Sequence, residues 1–135
     1  IMLRRNNQIR TIQSSLAIEG NTLTIEQVTD IIDRKRVLAP REDIIEVNNA
    51  IEVYNKLRLF DPSSIDSLLD AHRLLMKKLI TDNGVFRSSG VGIFKGDKVA
   101  HIAPPASRVP SLINNLFEFI NNKMKLYYCL LAISL

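Results

Sequence analysis

Glu19 lies in the stretch Ser15-Leu16-Ala17-Ile18-Glu19-Gly20-Asn21, on the last turn of a helix predicted by the three- and four-residue spacing of Ile9, Ile12 and Leu16. The carbonyls at that end of a helix already present negative charge, so a carboxylate there is locally unfavourable. An acid that breaks this rule at an otherwise well-formed helix end points to a cationic partner elsewhere or to a task of its own. The chemistry open to it is the capture of a guanidinium or ammonium group. Ser15, four residues earlier, falls on the same helix face. Its hydroxyl either braces the carboxylate or bonds back to the helix carbonyls.

Other residues that could do chemistry are few. His72 sits on the apolar stripe of its helix and reads as a neutral core histidine bonded to a backbone carbonyl. His101 lies in a strand-like stretch. Cys129 is the only cysteine, so no internal disulfide forms, and no Cys or His spacing resembles a zinc site. A reducing cytosol fits this usage best. The 18 basic residues against 14 acidic ones give a net charge of +4, but the basic residues are scattered along the chain. A nucleic-acid surface is therefore not indicated.

These side chains need elements to hold them. Composition is that of an ordinary globular domain, 46% hydrophobic and 24% charged over 135 residues. After the first helix, Gly20 supplies a stop. Thr24 with Gln27 forms a capping box ahead of Ile25, Val28, Ile31 and Ile32, in a second helix that Pro40 closes. A third helix runs from Arg41 towards Leu59, with Ile44, Val47, Ile51 and Tyr54 on one face. Asp61-Pro62-Ser63-Ser64 makes a turn and N-cap for a fourth, carried by Ile65, Leu68, His72, Leu75 and Leu79 to about Ile80. From Asp82-Asn83-Gly84 onward, alternation replaces the helical step, and Val91, Ile93 and Val99 to Ile102 flank Lys95-Gly96-Asp97 as a β-hairpin. Pro110 opens a further helix through Leu116 and Ile120, which Asn121-Asn122 is expected to break, with a last helix from Met124.

No apolar run follows Arg4 and Arg5, so this stretch is not expected to be a secretory signal. Ile1 as first residue reads as the edge of a fragment. The apolar end Leu126 to Leu135 falls short of the roughly 20 residues a membrane span needs, leaving the first half of a core helix or the opening of a transmembrane one.

Three blocks taken together resemble a Fic domain in the family's order: SSLAIEGNTLTIEQV from Ser14, DAHRLLMKKL ahead of NGVFRSSGVGI, and AHIAPPASRVPSLINNLFEFI. The arrangement is similar to members with an inhibitory helix N-terminal to the catalytic core, whose pattern Ser15, Glu19 and Gly20 match. The resemblance implies a mainly α, Fic-like helical bundle with one β-hairpin flap. It implies a single domain over 1–135, with residues 1–20 as regulatory helix and 90–102 as flap.

Proteins of this family transfer AMP from ATP to a Ser, Thr or Tyr hydroxyl of a target protein, with Mg²⁺. Their motif is His-Pro-Phe-x-Asp/Glu-Gly-Asn-Gly-Arg-x-x-Arg, whose His takes the proton of the target hydroxyl. No such motif occurs here, since His72 precedes Arg73 and His101 precedes Ile102. The resemblance therefore implies a chain that ends just before its own active site, by truncation, frameshift or natural loss, and that carries no catalytic residue and holds no ATP or Mg²⁺ tightly.

By the same resemblance, Glu19 pairs with the motif's last Arg and blocks placement of the ATP γ-phosphate. Val91, Gly92, Ile93 and Phe94 would hold the target protein by strand addition at the flap edge. Lys98, Val99, Ala100 and His101 would approach the nucleotide. Arg87 would anchor the flap or contact phosphate. The expected parent is a cytoplasmic, autoinhibited protein adenylyltransferase, inactive in this portion alone. The rival is a shortened, non-catalytic regulatory or protein-binding module, and a weaker third is a basic nucleic-acid binder. No membrane association is expected, and the apolar end at Tyr127 to Leu135 could drive dimerisation if uncovered.

Overall fold

The computed structural model describes the backbone of residues 2–96 and 98–133, and the side chains of these except 2, 93–95, 98–100 and 123–133. In order come α1 (Met2–Ile18), α2 (Ile25–Ile32), α3 (Arg41–Asn55), a 3-10 turn Leu57–Leu59, α4 (Ile65–Leu75), β1 (Gly92–Lys95), β2 (Lys98–Ile102), a 3-10 turn Ala106–Arg108 and α5 (Val109–Ile133). The protein is mainly helical, with one hairpin. It forms two compact units, Ile1–Phe60 with Leu69–Gly84, and Asp61–Leu68 with Val85–Leu135.

In the first unit α1, α2 and α3 pack on one another around Ile9, Ile12, Leu23, Val28 and Val47, all buried. The capping box of α2 is formed in full. Gln27 N–H donates to the Thr24 hydroxyl (3.3 Å), and Thr24 N–H donates to the Gln27 side chain (3.0 Å). Two orphan donors at the helix start are thereby satisfied.

Two helices stop earlier than the apolar pattern suggests. α2 ends at Ile32 and not at Pro40, because Arg34 takes a left-handed conformation (φ 60°) and the Lys35 N–H folds back to the Asp30 carbonyl at 2.8 Å. With Asp33 N–H on Thr29 O and Arg34 N–H on Ile31 O, this closure satisfies three of the last four carbonyls and turns the chain away from the helix axis. α4 ends at Leu75 and not near Ile80. Its terminal carbonyls go instead to a side chain of α3: buried Asn49 donates through Nδ2 to Leu75 O (2.9 Å) and Lys77 O (2.8 Å). Lys78 then turns the chain with φ 65°.

His72 is half-buried, and its partner is a donor and not the expected carbonyl. The Gly84 N–H donates to His72 Nδ1 at 2.8 Å. Gly84 is itself confined, with φ 71° and a Cβ position that would lie 2.7 Å from Arg73 Cβ.

In the second unit β1 and β2 pair antiparallel in the register Gly92↔Ile102, Ile93↔His101, Phe94↔Val99 and Lys95↔Lys98. Ala100 is left without an opposite residue, which makes a β-bulge. Gly96, with φ 61°, supplies the left-handed turn residue; Asp97 lies outside the described residues. Ala103 N–H prolongs the ladder by donating to Val91 O (3.1 Å).

α5 is unbroken through Asn121-Asn122, contrary to the expected break. Each Asn costs only about 0.7 kcal/mol against Ala in a helix interior, less than stopping and nucleating a second helix. Among its described residues Phe117 is the buried one. The side chains of Tyr127 to Leu135, on which the expectations of membrane contact and dimerisation turned, lie outside the described set. Among the described residues no helix is long and apolar enough to cross a membrane.

Candidate functional site

The end of α1 is closed by a full set of backbone bonds. Gly20 N–H donates to Ala17 O (3.1 Å) and Asn21 N–H to Leu16 O (3.0 Å), with Gly20 left-handed at φ 99°. This is a Schellman closure, and it makes Glu19 the C-cap residue. The carboxylate thus stands at the negative pole of α1, as the sequence implied.

What fixes this end in place is Asn21, which sequence reasoning passed over. Its Nδ2 donates to the Asp43 carbonyl (3.1 Å) and the Glu46 carboxylate (2.8 Å) of α3, and its Oδ1 accepts from Leu23 N–H (3.1 Å). Next to it, Thr22 N–H donates to Asp43 Oδ2 at 2.9 Å, and the Thr22 hydroxyl donates to the same oxygen. The hydroxyl, then the N–H, hold the Asp43 carboxyl below the usual carboxylate range. An Asn directly after a helix-stopping Gly is the signal that could have disclosed this, since short amides at turns bond to nearby backbone.

Glu19 is exposed and borders two hollows. One, of about 390 Å³, has Glu46 as its second acid and Leu16, Leu75, Met76 and Leu79 as apolar walls. The other, of about 330 Å³, brings in Ser15 together with Ala50, Val53, Tyr54 and Leu57. Ser15 and Glu19 therefore share a face, and Leu75 is exposed because it looks onto these spaces. Among the described residues no Lys, Arg or His lines either hollow, and Glu19 has no cationic partner. Two carboxylates over an aliphatic floor suit a guanidinium, whose stem can lie on Leu and Met while its head meets the acids.

The same lining does not fit a nucleotide triphosphate, which would find acids and no cation. Nor do the described residues group three or more His, Cys, Asp or Glu as metal ligands.

On the hairpin, Val91 and Gly92 are exposed, and His101 is exposed opposite Ile93. The side chains of Ile93, Phe94, Lys98, Val99 and Ala100 lie outside the described set, so only their register is given. Within the two-stranded sheet each strand pairs on one side alone, leaving an edge free on the other. Arg87 spans the base of the hairpin: Nη1 donates to Ser89 O (2.7 Å) and Nη2 to Pro104 O.

No family model and no curated protein matches the chain. Among solved structures, it is similar to the crystal structure of a Fic family protein from Desulfovibrio desulfuricans G20, with a TM-score of 0.82 and 53% sequence identity. The alignment covers 90% of this chain and 37% of that one, so the chain spans just over a third of that protein's length. Identity at this level over nearly all of the chain, on the same mainly helical fold, makes these 135 residues a member of the Fic family.

Proposed function

We propose that these residues are the regulatory helix and target-holding flap of an autoinhibited protein adenylyltransferase, which moves AMP from ATP to a Ser, Thr or Tyr hydroxyl of a target protein. The observation that carries this reading is the placement of Glu19. It caps α1 at the wrong pole for an acid, over an aliphatic hollow with Glu46 beside it and no cation among the described residues. An arginine entering from outside the 135 residues would complete the site. Captured there, it is withdrawn from the phosphates it would otherwise position, and transfer stops.

ATP and Mg²⁺ belong to the intact enzyme. Val91, Gly92, Ile93 and Phe94 offer a strand edge to the target, a mode that asks for main-chain groups more than for particular side chains. Lys98, Val99, Ala100 and His101 are assigned to the nucleotide side of the flap. A cytoplasmic location agrees with the single cysteine.

The test is a chimera in which this chain replaces its matching segment in the D. desulfuricans relative, supplied with ATP labelled at the α-phosphate. Glu19→Gly is expected to raise label transfer at least about tenfold, the effect of one charge-assisted pair. Equal labelling by both chimeras overturns the inhibitory role. An absence of labelling in both favours the rival reading, a non-catalytic protein-binding module.

A further inference from the structure

The basic residues look scattered in the sequence, but the fold brings three arginines to one hollow of about 580 Å³ in the first unit. Arg4 and Arg5 come from the start of α1. Arg58 comes from the 3-10 turn after α3, more than fifty positions later in the chain. Between them stand two amides, Gln8 and Asn55, joined by a Gln8 Nε2 to Asn55 Oδ1 bond at 3.2 Å. Tyr54, Leu57 and Ile32 make the apolar wall.

The charge balance of this hollow is one-sided. Among the described residues no carboxylate lines it, and the acid paired with its arginines is Asp33, which bonds Arg5. Arg4 and Arg58 have neither an ion pair nor a hydrogen bond among the described residues, and both are exposed. Arg4 and Arg58 leave a local excess of positive charge that a bound anion would balance. Guanidinium forks match phosphate oxygens in pairs, and a concave hollow of this size lies in the range of small-molecule sites.

We infer that this hollow is a binding site for a small phosphorylated ligand bearing at least two phosphate charges, held by Arg4 and Arg58 and flanked by Tyr54. The site is separate from the acidic hollows at Glu19, whose lining repels such a ligand. Its ligand could be an inorganic polyphosphate or a nucleoside diphosphate, since both bring the same oxygens to the arginines. The wall of Tyr54, Leu57 and Ile32 distinguishes them, because it offers a surface that only a nucleoside can cover.

Calorimetric titration of the 135-residue chain with inorganic pyrophosphate and with ADP tests this. Saturable binding of at least one is expected, weakened at least about tenfold by Arg4→Ala and by Arg58→Ala, each removing charge-assisted bonds. Both side chains are exposed, so neither change threatens folding. Arg10→Ala, on exposed α1 surface outside the hollow, is expected to leave affinity unchanged. Tighter binding of ADP than of pyrophosphate identifies the nucleoside as ligand, and equal binding the polyphosphate. No saturable binding of either probe overturns the inference. So does a loss in Arg10→Ala as large as in Arg58→Ala, which would report general charge and not a site.

Discussion

Arg87 and Pro104 are joined across seventeen residues of chain by a guanidinium-to-carbonyl hydrogen bond, while the same guanidinium also holds the carbonyl of Ser89. One side chain thus ties the strand that enters the hairpin to the strand that leaves it. The family resemblance left Arg87 between an anchor of the flap and a phosphate contact, and the two carbonyls it engages occupy it as an anchor.

Removing that tie should loosen the hairpin base without unfolding the rest. In Arg87→Ala, exchange of the Ala103 amide hydrogen, which bonds Val91 O, is expected to quicken about tenfold, the size of one lost charge-assisted bond. Amides of α1 should keep their protection. Arg87→Lys should not restore it, because an ammonium lacks the planar fork that serves two carbonyls. Hydrogen exchange followed by NMR or mass spectrometry reads both.

Asn49 is the buried polar residue on which the end of α4 depends. Asn49→Ala strands the carbonyls of Leu75 and Lys77 and should cost about 2–3 kcal/mol in urea unfolding. Asn49→Asp should be at least as damaging, since it turns a donor towards two acceptors into a third acceptor.

Gly84 tests confinement. Ala at this position would bring a Cβ within 2.7 Å of Arg73 Cβ and 3.1 Å of Leu69 O, at a backbone angle that L-residues avoid. A loss of about 1–3 kcal/mol in denaturant unfolding is expected. Truncating Arg73 to Ala leaves its Cβ in place and so should not rescue the variant.

Asp43 gives a pH dependence of definite sign. Because its carboxyl is held below the ordinary range when folded, its stabilisation is present above the unfolded value and fades as pH falls through the folded one. Asp43→Asn should therefore lower the melting temperature at pH 6, and the gap to the parent should narrow on acidification below about pH 4. A gap of constant size between pH 6 and pH 3 would mean that the carboxylate is not the stabilising species.

Local signals in the sequence foretold the structure well wherever the partners lie a few residues apart. The stripe of Ile9 and Ile12, the stop at Gly20 and the reciprocal Thr24–Gln27 box are of this kind, and each stands where the spacing placed it. The ends of α2 and α4 were misjudged for different reasons. An arginine entering the left-handed region carries no mark in the sequence. Asn49 meets Leu75 across a separation of 26 positions, which only the folded chain brings together. The Asn121-Asn122 pair misled because a weak propensity was read as a break. Of the candidate site, Ser15, Glu19 and Gly20 were visible through a local electrostatic conflict. Asn21 and Glu46, which hold and complement them, needed α3 to be brought alongside.

Tyr54 and Leu57 line both the hollow that carries Ser15 and Glu19 and the one that carries Arg4 and Arg58. The hollow proposed to take a guanidinium and the one proposed to take an anion therefore share two wall residues. A ligand in either hollow would rest against side chains that also face its neighbour.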